Sequence, residues 1–343
     1  MQVDLMTLPM PLSDMTVLAR RTADLGFDGM VVTEAGRTAF LSCAVAAMAA
    51  PGLHLSTGVA VAFPRSPMVT ATTAWELAEA TGGRFRLGLG TQVRAHIERR
   101  FSAEFDRPGP RLREYVRALR AIFAAFRGDQ RLAFDGEFWN FSLLPRDWSP
   151  GPIGVPDPPI DVAAVNPWML RMAGEVADGV HVHPLNTPAY LRDTVGPELA
   201  RGAAEVGRDP GSIQRIVPCF TVVGDDPGER ARWRELARMQ VAFYGSTPNY
   251  AFIFDQVDRP GTTEALRSFQ KAGDVAGMTS VIDDDLLAHF VVEGTWDDLA
   301  DRITERFGGL ADRVVLYFAG LAARGDDADL ERFGRVAARV STG

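Results

Sequence analysis

The chain has 343 residues, 46% apolar and 23% charged, with a formal net charge of −8. That length and balance suit a globular fold of one large or two smaller domains, and the negative charge argues against a nucleic-acid-binding face. Lys271 is the single lysine, which removes Schiff-base and lysine-nucleophile chemistry from most of the chain. Cys43 and Cys219 stand far apart and offer neither a disulfide framework nor a zinc spacing, so a reduced, cytoplasmic protein is expected. The opening MQVDLMTLPM has no basic segment and carries Asp4, unlike a signal peptide, and no run approaches the roughly 18 apolar residues of a membrane span.

Short apolar runs alternate with amphipathic segments. A strand at 3–8 precedes a helix over 14–25, where Val17, Leu18, Ala19, Thr22, Ala23 and Leu25 recur near helical spacing before Gly26. A strand at 28–33 is followed by a helix at 38–50. The third strand, 53–61, has Thr57, Val59 and Val61 on one face and Ser56, Gly58, Ala60 and Ala62 on the other, and must stop near Phe63 because Pro64 and Pro67 follow. A glycine inside a strand marks a bulge or a close approach by another group, so Gly58 is singled out. Next come a helix at 67–81 with proline in its first turn, a fourth strand at 84–90 and a helix at 110–126.

Residues 128–158 interrupt this alternation with an irregular hairpin and a proline-rich loop. It resumes with strands at 159–165, 178–183 and 215–224 and helices at 167–176, 188–206 and 227–244. Residues 245–285 interrupt it again. A helix at 296–307, with Thr295 as N-cap and Asp298 three residues on, leads to the eighth strand at 313–318 and a last helix at 327–340. Eight strands alternating with helices predict an α/β fold, a (β/α)8 TIM barrel with insertions at 128–158 and 245–285, spanning residues 1–343 as a single domain. An open doubly wound sheet competes, but no Gly-x-Gly-x-x-Gly turn follows the first strand.

Chemistry in such a barrel sits at the C-terminal strand ends. These are Leu8-Pro9, Thr33-Glu34, Val61 to Phe63, Gly90-Thr91-Gln92, Val165-Asn166, His183-Pro184, Val223-Gly224 and Phe318-Ala319. One carboxylate, one histidine and two amides among bare backbone suit a large, flat, partly apolar ligand. Unpaired N–H groups at the start of the helix near Pro167 make an anion site beside Asn166.

The segments GFDGMVVTE, STGVAVAFPRSPMVTATTAWELAEATGGRFRLGLGTQ and MLRMAGEVADGV resemble the luciferase-like monooxygenase family, whose members are flavin- or deazaflavin-dependent (β/α)8 barrels. GTQVRAHIERRF is most similar to the branch that uses coenzyme F420, a deazaflavin. The resemblance implies an oxidoreductase passing a hydride between F420 and a small organic substrate, with an FMN-dependent two-component monooxygenase as the alternative. It implies a non-prolyl cis peptide at Gly58–Val59 in a bulge that, with Thr57, backs the ring. It also implies that Gly90, Thr91 and Gln92 meet the ring's pyrimidine side, and that Val165 and Asn166 hold the cofactor phosphate.

Relatives often carry Asp-His where this chain has Glu34-Ala35. The carboxylate remains to orient the ring or handle a proton, or it serves as the N-terminal acid of the following helix. His96 is either a general acid, with an ordinary pKa near 6.5, or a loop histidine bridging Glu98 or Glu104. His183, nearest the rim, joins the cofactor-binding set or lines the substrate pocket. His181 and His183 on one strand face also allow a metal-dependent hydrolase, though only Glu34 is on offer as a further ligand. Arg94, Arg99 and Arg100 either attract the acidic tail of the deazaflavin or form a solvated face. The aromatics Trp139, Phe141, Trp148, Tyr244, Tyr250 and Phe252 in or beside the insertions are read as packing. Pairing into a homodimer is expected, with neither membrane nor nucleic acid as partner.

Overall fold

The computed structural model describes residues 1–325 and 327–342. Eight parallel strands form a closed ring: Gln2–Thr7, Gly29–Val32, His54–Thr57 continued by Ala60–Val61, Phe85–Gly90, Ile160–Ala163, Gly179–His181, Gln214–Val223 and Arg313–Leu316. The eighth pairs with the first and the seventh, and the sixth with the seventh, so the expected TIM barrel is present and the open sheet is ruled out. Among the described residues, no helix is long and apolar enough to cross a membrane.

Strand periodicity decides what fills the barrel. Residues alternate between the helices and the interior; Val3 and Leu5 are fully buried toward the helices, while Asp4 and Met6 share the inward register of Val315 and Val31. The lower interior holds two buried ion pairs, Arg313 bidentate on Asp4 (2.7 and 2.5 Å) and Arg86 bidentate on Asp161 (2.8 and 2.5 Å). Pairing and forked hydrogen bonds make such buried charges tolerable. Above them the inward residues turn small or apolar, as at Gly58, Gly88, Ala163 and Val315, and a cavity opens toward the C-terminal strand ends.

Helices begin where local capping dictates. Ser66 accepts from the Met68 N–H ahead of the Pro67–Ala80 helix, and Asn166 from the Met169 N–H ahead of Pro167–Val176. Thr295 and Asp298 exchange hydrogen bonds as a reciprocal cap, although the regular helix starts only at Leu299.

The bulge expected in the third strand is present: Leu55 and Ser56 pair with Phe85 and Arg86, whereas Ala60 and Val61 pair with Leu89 and Gly90. The register thus slips by one residue, as a bulge requires. The seventh strand leaves the barrel after Cys219; its outer half, Phe220–Val223, pairs with a strand absent from the sequence reading, Val291–Gly294. Residues 245–285 are mostly helical, with Thr262–Ala272 and Val275–Ser280 packed on the Pro227–Gly245 helix and Ala251–Asp255 on Thr262–Ala272, and the first insertion holds the expected short hairpin, Phe134–Asp135 and Asn140–Phe141.

Candidate active site

The cavity at the barrel mouth has a volume of about 820 Å³. Its first wall is the bulge, where the Gly58–Val59 peptide is cis. Side chains have no room here: a Cβ on Gly58 would collide with Cγ1 of Val31, and one on Gly90 would lie 2.6 Å from Cγ2 of Val59. The glycines are therefore required by the neighbouring Val31 and Val59 side chains, which line the cavity with them and leave a small apolar wall that a flat ring can lie against. Gly58, Val59, Gly90, Thr91, Gln92, Val165, Asn166 and His183 all line the cavity. Gln92 takes a left-handed conformation (φ 56°) at the end of the fourth strand, which turns the chain outward.

Thr57 differs from expectation. It is fully buried and its hydroxyl donates to the Gly88 carbonyl at 2.7 Å, so its side chain braces the bulge from within the sheet and does not line the cavity. His96 differs too: it is exposed on the π-helical turn His96–Arg100 and lies outside the cavity lining. The cavity lining in that stretch ends at Arg94, so His96 is not brought together with the other site residues.

Glu34 reaches the cavity edge but is already engaged. It accepts from the Val61 N–H (2.8 Å), from both terminal nitrogens of Arg65 (2.9 and 2.6 Å) and from the Ala39 N–H (3.4 Å). It therefore ties the second strand to the segment after the bulge, and the helix-start role weighed in the sequence is one part of that clasp. Arg94 lines the mouth and pairs with Glu98 at 2.6 Å, while Arg100 donates to the Ala35 carbonyl.

Asn166 caps the Pro167–Val176 helix with its own Oδ1 on the Met169 N–H at 2.9 Å. Pro167 has no N–H, so the Trp168 amide remains to meet an anion at this end. The Trp168 indole packs over Gly109, where a Cβ would strike the ring.

The opposite wall was largely missed. It consists of His183, Tyr244, Tyr250 and Tyr317, with His181 on the floor. The Tyr250 ring covers His183 at 3.9 Å between centroids, and Tyr244 meets it edge-on at 4.9 Å. The Tyr244 and Tyr317 hydroxyls lie 2.5 Å apart. Burial raises both phenols above the ordinary range and pushes the His183 imidazole down to about 3. Burial also lowers His181, outweighing the opposing pull of Asp161; its Nε2 has no hydrogen-bond partner and sits 4.0 Å from an Asp161 oxygen.

Inward parity along the eighth strand, Arg313-Val315-Tyr317, pointed to Tyr317, whereas Phe318 stacks outward on Trp233. The seventh strand contributes Pro218 rather than Val223-Gly224, because its end has left the barrel. Among the insertion aromatics, Trp139 packs on Tyr115 and Phe252 on Tyr190 as expected, but Tyr244 and Tyr250 face the cavity. Among the described residues, no three His, Cys, Asp or Glu side chains gather as a metal site, so the paired histidines lack the companions a hydrolase needs.

Known proteins are similar to this chain to different degrees. A family model described as luciferase-like monooxygenase matches residues 1–313. An uncharacterized protein of Mycobacterium tuberculosis is 39% identical over 285 residues, covering 83% of this chain and 84% of its own. The 5,10-methylenetetrahydromethanopterin reductase of Methanolobus tindarius is 27% identical over 294 residues, 84% of each chain. The solved structure of the coenzyme F420 dependent tetrahydromethanopterin reductase from Methanopyrus kandleri superposes with a TM-score of 0.75 at 19% identity, covering 99% of this chain and 96% of that one.

Proposed function

Because the chain belongs to the luciferase-like monooxygenase family, we propose that it is an oxidoreductase that uses coenzyme F420 to move a hydride to or from a small organic substrate. The observation that carries this reading is the small apolar wall of Val31, Gly58, Val59 and Gly90 at the bulge, facing a cavity of about 820 Å³. The residues present fit a deazaflavin. Gly58, Val59 and Gly90 would back its ring, and the Gly90–Gln92 turn would meet the pyrimidine carbonyls and N–H. Val165, Asn166 and the Trp168 amide would hold its phosphate at the helix N-terminus.

When bound, a deazaflavin supplies two-electron hydride chemistry with little reactivity toward oxygen. The protein's part is to position and to exclude water. The Glu34–Arg65 clasp holds the strand after the bulge in register, so the backing wall keeps its shape. Trp168 beside the helix N-terminus and Tyr244 and Tyr250 on the far wall would limit solvent entry. Similarity to the Methanopyrus kandleri reductase, a coenzyme F420 dependent enzyme, favours F420 over FMN, and the exposed Arg99 in the turn after the fourth strand offers a cation to an acidic tail.

Fluorescence titration with F420 and with FMN, at low and at high salt, tests the reading. The expected result is tighter binding of F420, weakened more by salt than that of FMN, because exposed charges are screened over about 8–10 Å at physiological ionic strength. Tight FMN binding with none of F420 would overturn it in favour of an FMN-dependent monooxygenase.

A further inference from the structure

We propose that the wall facing the bulge, formed by His183, Tyr244 and Tyr317, is the substrate-recognition surface, and that it selects an uncharged hydrogen-bond acceptor such as a carbonyl oxygen over carboxylates and phosphates. The inference rests on the oxidoreductase reading for the word substrate, but the binding chemistry does not depend on which cofactor is used.

Position comes first. In the ring of eight strands the third stands opposite the seventh, so the bulge faces the neighbourhood of the sixth, seventh and eighth strands. A ring lying on the bulge would leave its open face toward His183 and Tyr317.

The donors there have settled directions. The Leu185 N–H donates to Nδ1 of His183 at 3.1 Å, which makes Nδ1 the acceptor and places the proton of the neutral ring on Nε2. Tyr250 and Tyr244 hold the imidazole between their rings, so Nε2–H is a fixed donor. The Tyr244 and Tyr317 hydroxyls carry two protons between them, and their mutual hydrogen bond at 2.5 Å uses one. One O–H is left for a ligand.

Charge selection follows from what lines the rest of the cavity. Its ionised side chains among the described residues are Glu34 and Arg94, and each is already paired, with Arg65 and Glu98 respectively. An anion against the His183–Tyr317 wall would be desolvated with no cation to meet it, whereas a neutral acceptor finds two donors.

Three measurements on the purified chain test this. Nitrogen-15 NMR of the histidines at pH 7 should show His183 neutral with its proton on Nε2. Saturation-transfer NMR should show cyclohexanone binding at least about tenfold more tightly than the shape-matched anion cyclohexanecarboxylate. Tyr317→Phe and His183→Phe should each weaken cyclohexanone about tenfold, since each leaves the carbonyl one donor short. A protonated or Nδ1–H His183, equal or tighter binding of the carboxylate, or no ketone binding would overturn the proposal, and the first two experiments need no variant to fold. Failure of the F420 reading alone would appear in the cofactor titration and leave the ketone-to-carboxylate ratio intact.

Discussion

Replacing Glu34 with glutamine separates a clasp from a proton carrier. The native carboxylate side chain is 5% exposed and that of Arg65 is 22% exposed. Glu34→Gln keeps the shape but puts an NH2 donor where an oxygen now accepts, and that donor cannot face a guanidinium or an N–H. At least one charge-assisted hydrogen bond is lost, of a kind worth about 1.5–3 kcal/mol. Arg65 retains its bond to the Val61 carbonyl at 2.9 Å and some solvent, so a net loss of about 2–3 kcal/mol is reasonable. With an unfolding entropy near 2.1 cal/mol/K per residue over a chain of this length, calorimetry should show a fall in Tm of about 3–4 °C. The double variant Glu34→Gln/Arg65→Gln should lose less than the two single losses combined, because both remove the same contact. A proton carrier would behave differently: the single variant would keep its Tm and lose roughly 10²–10⁴-fold in kcat. An unmoved Tm with such a loss in turnover would refute the clasp.

Asn166→Asp should weaken cofactor binding about tenfold in fluorescence titration, by setting a negative charge beside the bound phosphate at the helix end; unchanged affinity would move the phosphate elsewhere. His183→Phe should flatten the acid limb of the stability curve. The folded imidazole, held at about 3, lies below its unfolded value near 6.5, so its contribution is complete above pH 6.5 and drains as pH falls toward 3. While the unfolded state binds the extra proton, the slope is at most about 1.4 kcal/mol per pH unit. Denaturant melts between pH 4 and 6.5 should therefore be less steep for the variant, with His181 supplying part of what remains. An unchanged slope would mean that His183 is charged in the folded protein.

The bulged third strand was legible only in part: Gly58 among small residues, ended by Pro64 and Pro67, marks a bulge or a close approach, and it took the family resemblance to place the cis peptide at Gly58–Val59. The eight-strand ring was legible because each βα unit announces itself by its own periodicity and caps. The His183–Tyr wall was not. Tyr244 and Tyr250 meet His183 only after the helix following the seventh strand has folded back over the mouth, a contact between residues far apart in the chain. His96 was placed near the rim because it stands only four residues past Gln92, but it is exposed and the cavity lining in that stretch stops at Arg94. Glu34 could be placed at the rim from sequence, but its partner Arg65 lies beyond the proline pair, and the ion pair forms only once the bulge brings Val61 and Arg65 to the second strand. The strand at Val291–Gly294 escaped notice because FVVEG is short and pairs outside the barrel repeat.

That small outer strand has an architectural consequence. The chain departs from the seventh strand at Gly224 and completes the outer strand at Gly294, and the Gly224 N–H donates to the Gly294 carbonyl at 3.2 Å, which sets those two points side by side. Everything between them, including the tyrosines over the mouth, is a cassette with adjoining ends, the arrangement in which insertions and exchanges are best tolerated. Evolution or an engineer can trade that cassette whole between barrels while the bulge and the Pro167–Val176 helix stay with the host.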